Sequence, residues 1–128
     1  MIKKGILLIS HGSSRPDASK ALMHVRDDIA KRFAGIDVQL GFMEFESPSI
    51  PEAIADMVKN GVKSIRIIPY FLQEGKHLRK DIPALIDSSQ KKYSDVDIKM
   101  ADYIGYDPIM TEILISRLKI CDPEFLNR

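Results

Sequence analysis

Ile6-Leu7-Leu8-Ile9-Ser10-His11-Gly12 sets a short apolar run against a polar turn. Ile65-Arg66-Ile67-Ile68-Pro69-Tyr70-Phe71-Leu72 repeats the pattern and ends in Gln73-Glu74-Gly75-Lys76-His77. Nearly unbroken apolar runs of this length read as strands covered on both faces. Two further runs of strand length are Val38 to Phe45 and Val96 to Ala101. The segments between them have helical period. Ala18, Ala21, Leu22, Val25, Ile29 and Phe33 share one face of the first. Ile54, Met57 and Val58 mark the second, which opens with the capping-box pattern Ser49-Ile50-Pro51-Glu52 and stops at Asn60-Gly61. The third carries Ile82, Leu85 and Ile86, and Asp87 to Asp95 reads as a polar surface turn. The fourth starts at Asp107-Pro108, an N-cap followed by proline at the first helical position, and carries Met110, Ile113, Leu114 and Leu118. The order β-α-β-α-β-α-β-α implies right-handed crossovers and parallel strands. The expected architecture is an α/β fold: an open four-stranded parallel sheet of order 2-1-3-4 with helices on both faces, in one domain spanning residues 1–128.

Ligands of such sheets sit beyond the carboxyl ends of the strands, where the strand order reverses. With order 2-1-3-4 that point lies between the first and third strands, so the two segments that follow them become neighbours. They are Ser10-His11-Gly12-Ser13-Ser14 and Gln73-Glu74-Gly75-Lys76-His77, whose histidines are 66 positions apart in sequence. Imidazole titrates near neutrality and is the commonest protein metal ligand. Gly12 and Gly75 are expected to let the backbone turn sharply and leave room above the strands. Met43-Glu44-Phe45-Glu46-Ser47-Pro48 brings carboxylates to the same rim, although alternation along a strand lets at most one of Glu44 and Glu46 face a given side. Two histidines with a glutamate form an incomplete shell for a divalent first-row metal, and open positions mark a working site rather than a structural one. Arg15, Lys76, Arg79 and Lys80 read as a basic collar for a polycarboxylated ligand. Among Phe42, Phe45, Tyr70, Phe71 and Leu72, most are core and one or two at the strand tips contact a flat ring. His24 lies within the first helix and reads as structural or exposed. Ser13-Ser14 is expected to cap or open that helix.

Composition removes other classes. The chain has 128 residues, 45% apolar and 29% charged, which suits one globular domain. Its net charge is +1, with 9 basic and 8 acidic residues through Ser64 and 10 of each after it, so neither half grips nucleic acid or an anionic membrane. Cys121 is the only cysteine, which excludes an intrachain disulfide and a cysteine-based zinc cluster. No apolar run approaches the roughly 20 residues of a spanning helix, and the expected location is the cytoplasm. Gly-x-Ser-x-Gly, the P-loop pattern and Gly-x-Gly-x-x-Gly are absent, which argues against a serine hydrolase elbow and against nucleotides.

His11-Gly12-Ser13, Phe42-Met43-Glu44-Phe45 followed by Ser47-Pro48-Ser49-Ile50-Pro51-Glu52-Ala53, and Pro69-Tyr70-Phe71-Leu72-x-x-Gly75-x-His77-x-x-x-Asp81-Ile82-Pro83 together resemble the half-length sirohydrochlorin chelatases. The resemblance runs from about Ile6 to Ile104-Gly105-Tyr106-Asp107-Pro108. It implies a chelatase-like half domain and a class II chelatase. Such an enzyme inserts Co²⁺ or Ni²⁺, with Fe²⁺ as a third candidate, into a metal-free tetrapyrrole without ATP. The metal is then substrate and no cofactor is tightly bound. It further implies a homodimer, since double-length relatives bind the macrocycle between two such domains. Ile109, Met110 and Ile113 are candidates for that face. By the same resemblance His11 and His77 bind metal, His11 accepts a proton, and Leu72, Gln73, Glu74, Gly75, Lys76 and His77 form the substrate loop; Arg15, from the basic collar, is a further substrate-binding candidate. The family's acidic substrate contact before the proline falls here on Ser47, which leaves the acidic role between Glu44, as a metal ligand, and Glu46, as a substrate contact. Glu74 stands where some relatives carry another histidine. A non-catalytic metal or tetrapyrrole carrier on the same fold is the alternative. A phosphotransfer enzyme of the histidine phosphatase kind would have an arginine before the histidine, where Ser10 stands.

Overall fold

Strand β1 (Lys4–Ser10) lies inside the sheet of the computed structural model, which describes residues 2–15 and 17–127, with the backbone but not the side chain of His77. It pairs in parallel with β2 (Asp37–Phe42) on one side and β3 (Ser64–Pro69) on the other, and β3 pairs in parallel with β4 (Asp97–Met100). The order β2-β1-β3-β4 is the expected one. The connections carry α1 (Lys20–Arg32), α2 (Ile50–Lys59), α3 (Ile82–Lys92) and α4 (Pro108–Cys121), with a single π-helical turn, His77–Asp81, leading into α3.

Alternation along the strands feeds two cores. Leu7 and Ile9 point to one face with Ile65, Ile67 and Ile98, against Ile50, Ile54 and Met57 of α2 and Ile82 of α3. Leu8 points to the other, with Leu40, Phe42 and Leu22 of α1. The second core is much the smaller. Among the described residues α1 packs mainly on β2, and on the same face of β3 and β4 Arg66 pairs with Asp97 at 2.9 Å and Ile68 is exposed. Helix α4 starts as expected: the Asp107 carboxylate accepts from the Ile109 amide at 2.9 Å and Pro108 opens the first turn. Yet α4 buries none of its residues and makes no substantial packing contact with any other element.

Three expectations are corrected. Strand β2 ends at Phe42, not Phe45, because the Phe42 amide turns to the Pro48 carbonyl (2.9 Å) and Phe45 takes a left-handed conformation, φ +68°. Strand β3 ends at Pro69 instead of Leu72; proline has no amide to extend a ladder. Helix α3 runs through Lys92, so Asp87 to Asp95 is mostly helix rather than a turn. Gln90 explains this. Its side-chain nitrogen donates to the Val96 carbonyl at 2.6 Å and its oxygen accepts from the Ile98 amide at 3.0 Å, which ties the last turn of α3 to β4. Among the described residues no helix is long and apolar enough to cross a membrane.

Candidate active site

The carboxyl ends of β1, β2 and β3 form one rim. The segment after β1 and the segment after β2 cross in close contact: the Met43 amide donates to the Ser10 carbonyl at 2.9 Å and the Glu44 amide to the His11 carbonyl at 3.0 Å. Gly12 makes the crossing possible. Its φ is +93°, and a Cβ there would lie 1.9 Å from the Glu44 carbonyl oxygen. Gly75 is different. It has no positive φ and a Cβ would meet nothing within 4 Å, so neither a sharp turn nor a close approach requires glycine there.

This crossing brings His11 and Glu44 together. His11 Nε2 lies 3.0 Å from Glu44 Oε1, with both side chains partly open to solvent. Two residues on, the Glu46 amide donates to the Glu44 carbonyl at 2.8 Å around Phe45. A three-residue turn about a positive φ is the rare, strained kind of γ-turn, and a bulky residue there is uncommon. The turn overrides strand alternation. Glu46 also reaches the segment after β1: Glu46 Oε2 accepts from the Ser13 amide at 2.9 Å, and Oε1 accepts from the Ser19 hydroxyl. Both carboxylates therefore meet the same loop, contrary to the expectation that at most one could face it. Nor do Ser13 and Ser14 cap α1. Ser13 Oγ accepts from the Arg15 amide at 3.1 Å, and the N-cap of α1 is Ser19, which makes no side-chain capping bond.

The segment after β3 runs along the same rim, with the Tyr70 amide donating to the Ile9 carbonyl at 2.8 Å. Leu72, Gln73, Glu74, Gly75 and Lys76 are exposed, and His77 opens the π-helical turn. The His77 side chain lies outside the described residues. Among those that are described, no group of three His, Cys, Asp or Glu is placed to hold one metal ion. Of the aromatic and apolar candidates, Phe42 belongs to the smaller core and Phe71 packs against the larger one, whereas Phe45, Tyr70 and Leu72 are exposed on the rim. Of the basic residues expected to form a collar, Arg79 pairs with Glu74 at 3.4 Å. Arg15, Lys76 and Lys80 are exposed, as is Ser47. His24 is exposed on α1, in agreement with its reading. The role of Ser19 was not visible in sequence, because nothing local marks a serine whose partner lies 27 residues away.

A conserved-domain match decides the family: the CbiX family model matches residues 5–121. The chain belongs to the CbiX family. Relatives in sequence include a sirohydrochlorin cobaltochelatase of Methanosarcina acetivorans, 33% identical over 91% of this chain and 95% of the relative. A second sirohydrochlorin cobaltochelatase, of Saccharolobus solfataricus, is 32% identical over 89% of this chain and 92% of the relative. Among solved structures, a CbiX protein of Marinobacter aquaeolei superposes with a TM-score of 0.75 at 27% identity, covering 91% of this chain and 94% of that one. SirB of Bacillus subtilis, solved with Fe³⁺, gives a TM-score of 0.84 at 25% identity over 94% of this chain but 48% of its own length. The CbiX fold here therefore spans about half of SirB.

Proposed function

We propose that this CbiX protein inserts a divalent metal into sirohydrochlorin or a related tetrapyrrole without ATP, taking Co²⁺ or Ni²⁺, with Fe²⁺ as a third candidate. The observation that carries the proposal is the His11–Glu44 pair, 3.0 Å apart at the switch point of the sheet, in a chain whose relatives are named sirohydrochlorin cobaltochelatases. Metal insertion needs a cation stripped of water, pyrrole protons removed, and a ring held at the site. A neutral imidazole either ligates the cation or takes a proton, and a carboxylate beside it orients the ring or shares the cation. His11 and His77 are assigned these tasks, with Glu44 as the acidic partner. Residues 72–77 cover the substrate, exposed Phe45, Tyr70 and Leu72 contact the macrocycle face, and Arg15, Lys76 and Ser47 meet its acidic substituents.

The working unit is a homodimer. One lobe leaves a flat macrocycle open on one side, and a two-fold copy closes it. Helix α4 supports this reading: Ile109, Ile113, Leu114 and Leu118 are exposed on an element that, among the described residues, makes no substantial packing contact with another helix or strand. Met110, also expected there, is half-buried. SirB, at about twice the length, supports it from another direction.

The test is an anaerobic absorbance assay with sirohydrochlorin and Co²⁺, Ni²⁺ or Fe²⁺ in turn. The expected result is an enzyme-dependent spectral change with at least one metal. Tight tetrapyrrole binding with no metallation by any of them would replace the chelatase with a carrier.

A further inference from the structure

Glu46 differs from Glu44 in what surrounds it. Glu44 is exposed, whereas Glu46 is half-buried and has both carboxylate oxygens engaged, one by the Ser13 amide and one by the Ser19 hydroxyl. The two partners bracket the connection from β1 to α1. Ser13 stands two residues after His11, and Ser19 is the N-cap of α1. A serine at that position ordinarily offers its oxygen to the second or third amide of the helix. Ser19 makes no such bond and gives its hydroxyl proton to Glu46 instead. The carboxylate at this helix end also meets the positive pole of the α1 dipole. Among the described residues of this loop, the Arg15 amide donates to Ser13 Oγ, and long turn bonds of 3.4 Å and 3.3 Å run from the Ala18 amide to the Arg15 carbonyl and from the Lys20 amide to the Asp17 carbonyl. Asp17 sits at φ +63°, a conformation that costs energy and persists where the surrounding structure holds it.

We infer that Glu46 is a positioning residue, a clamp between the segments after β1 and β2 that fixes the turn carrying His11, and not a substrate contact. The inference rests on the chelatase reading of the site. It also accounts for the strained turn at Phe45, since that turn is what sends Glu44 and Glu46 to the same loop. Glu44 meets the imidazole, and Glu46 holds the backbone that presents it.

The experiment combines metallation kinetics with amide hydrogen exchange on Glu46→Ala, Glu46→Gln, Ser19→Ala and the double variant Glu46→Ala/Ser19→Ala. Misplacing a reacting group by about 1 Å costs on the order of a hundredfold in rate, so Glu46→Ala should lower kcat by about that factor with little change in tetrapyrrole KM. Glu46→Gln keeps an acceptor for the Ser13 amide and an amide group facing Ser19 Oγ, and should restore kcat close to wild type. Ser19→Ala should act in the same direction as Glu46→Ala but less. The double variant should match Glu46→Ala alone, because partners in one hydrogen bond are not additive. Exchange across residues 11–19 should quicken in Glu46→Ala and stay slow in Glu46→Gln. A Glu46→Gln variant as impaired as Glu46→Ala, with a raised tetrapyrrole KM and a silent Ser19→Ala, would make Glu46 a substrate contact and overturn the inference. Unchanged exchange in Glu46→Ala would also overturn it. Should Glu46→Ala not fold, Ser19→Ala and Glu46→Gln carry the same comparison. A wild type without metallation would overturn the chelatase reading instead, and the exchange data would still decide whether Glu46 is a clamp.

Discussion

Phe45 shows how much of the site turns on single residues. Its left-handed backbone and exposed ring are both unfavourable in isolation, and a glycine would adopt φ +68° at no steric cost. In the proposed function the exposed ring is a platform for the macrocycle. Phe45→Gly should therefore leave the thermal midpoint unchanged or higher while raising the tetrapyrrole KM several-fold. A lowered midpoint with an unchanged KM would make Phe45 a packing residue instead. Glu44→Gln keeps the shape beside His11 and removes the charge. It should depress metal insertion far more than Glu46→Gln, measured at one metal concentration. A rim shared by His11 and the glutamates after β2 was legible in the sequence from strand order, with the choice between Glu44 and Glu46 left open. The link between Glu46 and Ser19 was not, because it depends on a reversal at Phe45 that strand periodicity actively conceals.

Among the elements, α2 was the most legible and α4 the least. The pattern Ser49-Ile50-Pro51-Glu52 forms the full capping box: the Ser49 side chain accepts from the Glu52 amide at 3.2 Å, and Glu52 accepts from the Ser49 amide at 2.9 Å. These bonds hold the Glu52 carboxyl below its ordinary pKa, with the backbone bond from Ser49 the larger cause. A depressed folded pKa means the cap stabilises the protein fully above the ordinary Glu value of about 4.3, and that contribution is lost as pH falls through the lower folded value. The thermal midpoint of wild type should exceed that of Glu52→Gln at neutral pH, and the gap should close in acid below the ordinary Glu range. A gap that widens in acid would contradict the sign. For α4, local signals set its start correctly, but helical period says only that a face is apolar and not what covers it. Ile54→Ala, in the main core, should cost about 2–5 kcal/mol in denaturant unfolding. Leu114→Glu on α4 should barely affect the unfolding of the isolated chain and should disrupt association instead. If Leu114→Glu unfolds the protein as Ile54→Ala does, then α4 packs on its own domain.

At the scale of the molecule, strand order does most of the explanatory work. Parallel pairing in the order β2-β1-β3-β4 makes β1 and β3 neighbours and so sets the segments bearing His11 and His77 on one rim, which element order alone allowed the sequence to anticipate. The partly open sheet face and the loosely packed helix α4 were hidden from sequence, because both concern what a single chain leaves undone. A sedimentation mass near twice 14.5 kDa is expected at micromolar concentration, and a mass near 14.5 kDa would count against the two-lobed unit. The most direct test of the central claim is the initial rate of metal insertion into sirohydrochlorin by wild type, His11→Ala, His77→Ala and His24→Ala, each checked for an unchanged fold by circular dichroism. His11→Ala and His77→Ala are expected to lose nearly all activity while His24→Ala, changed at an exposed position of α1, keeps it. Full activity in His11→Ala and His77→Ala, or its loss in His24→Ala alone, would put the chemistry somewhere other than the rim of β1 and β3.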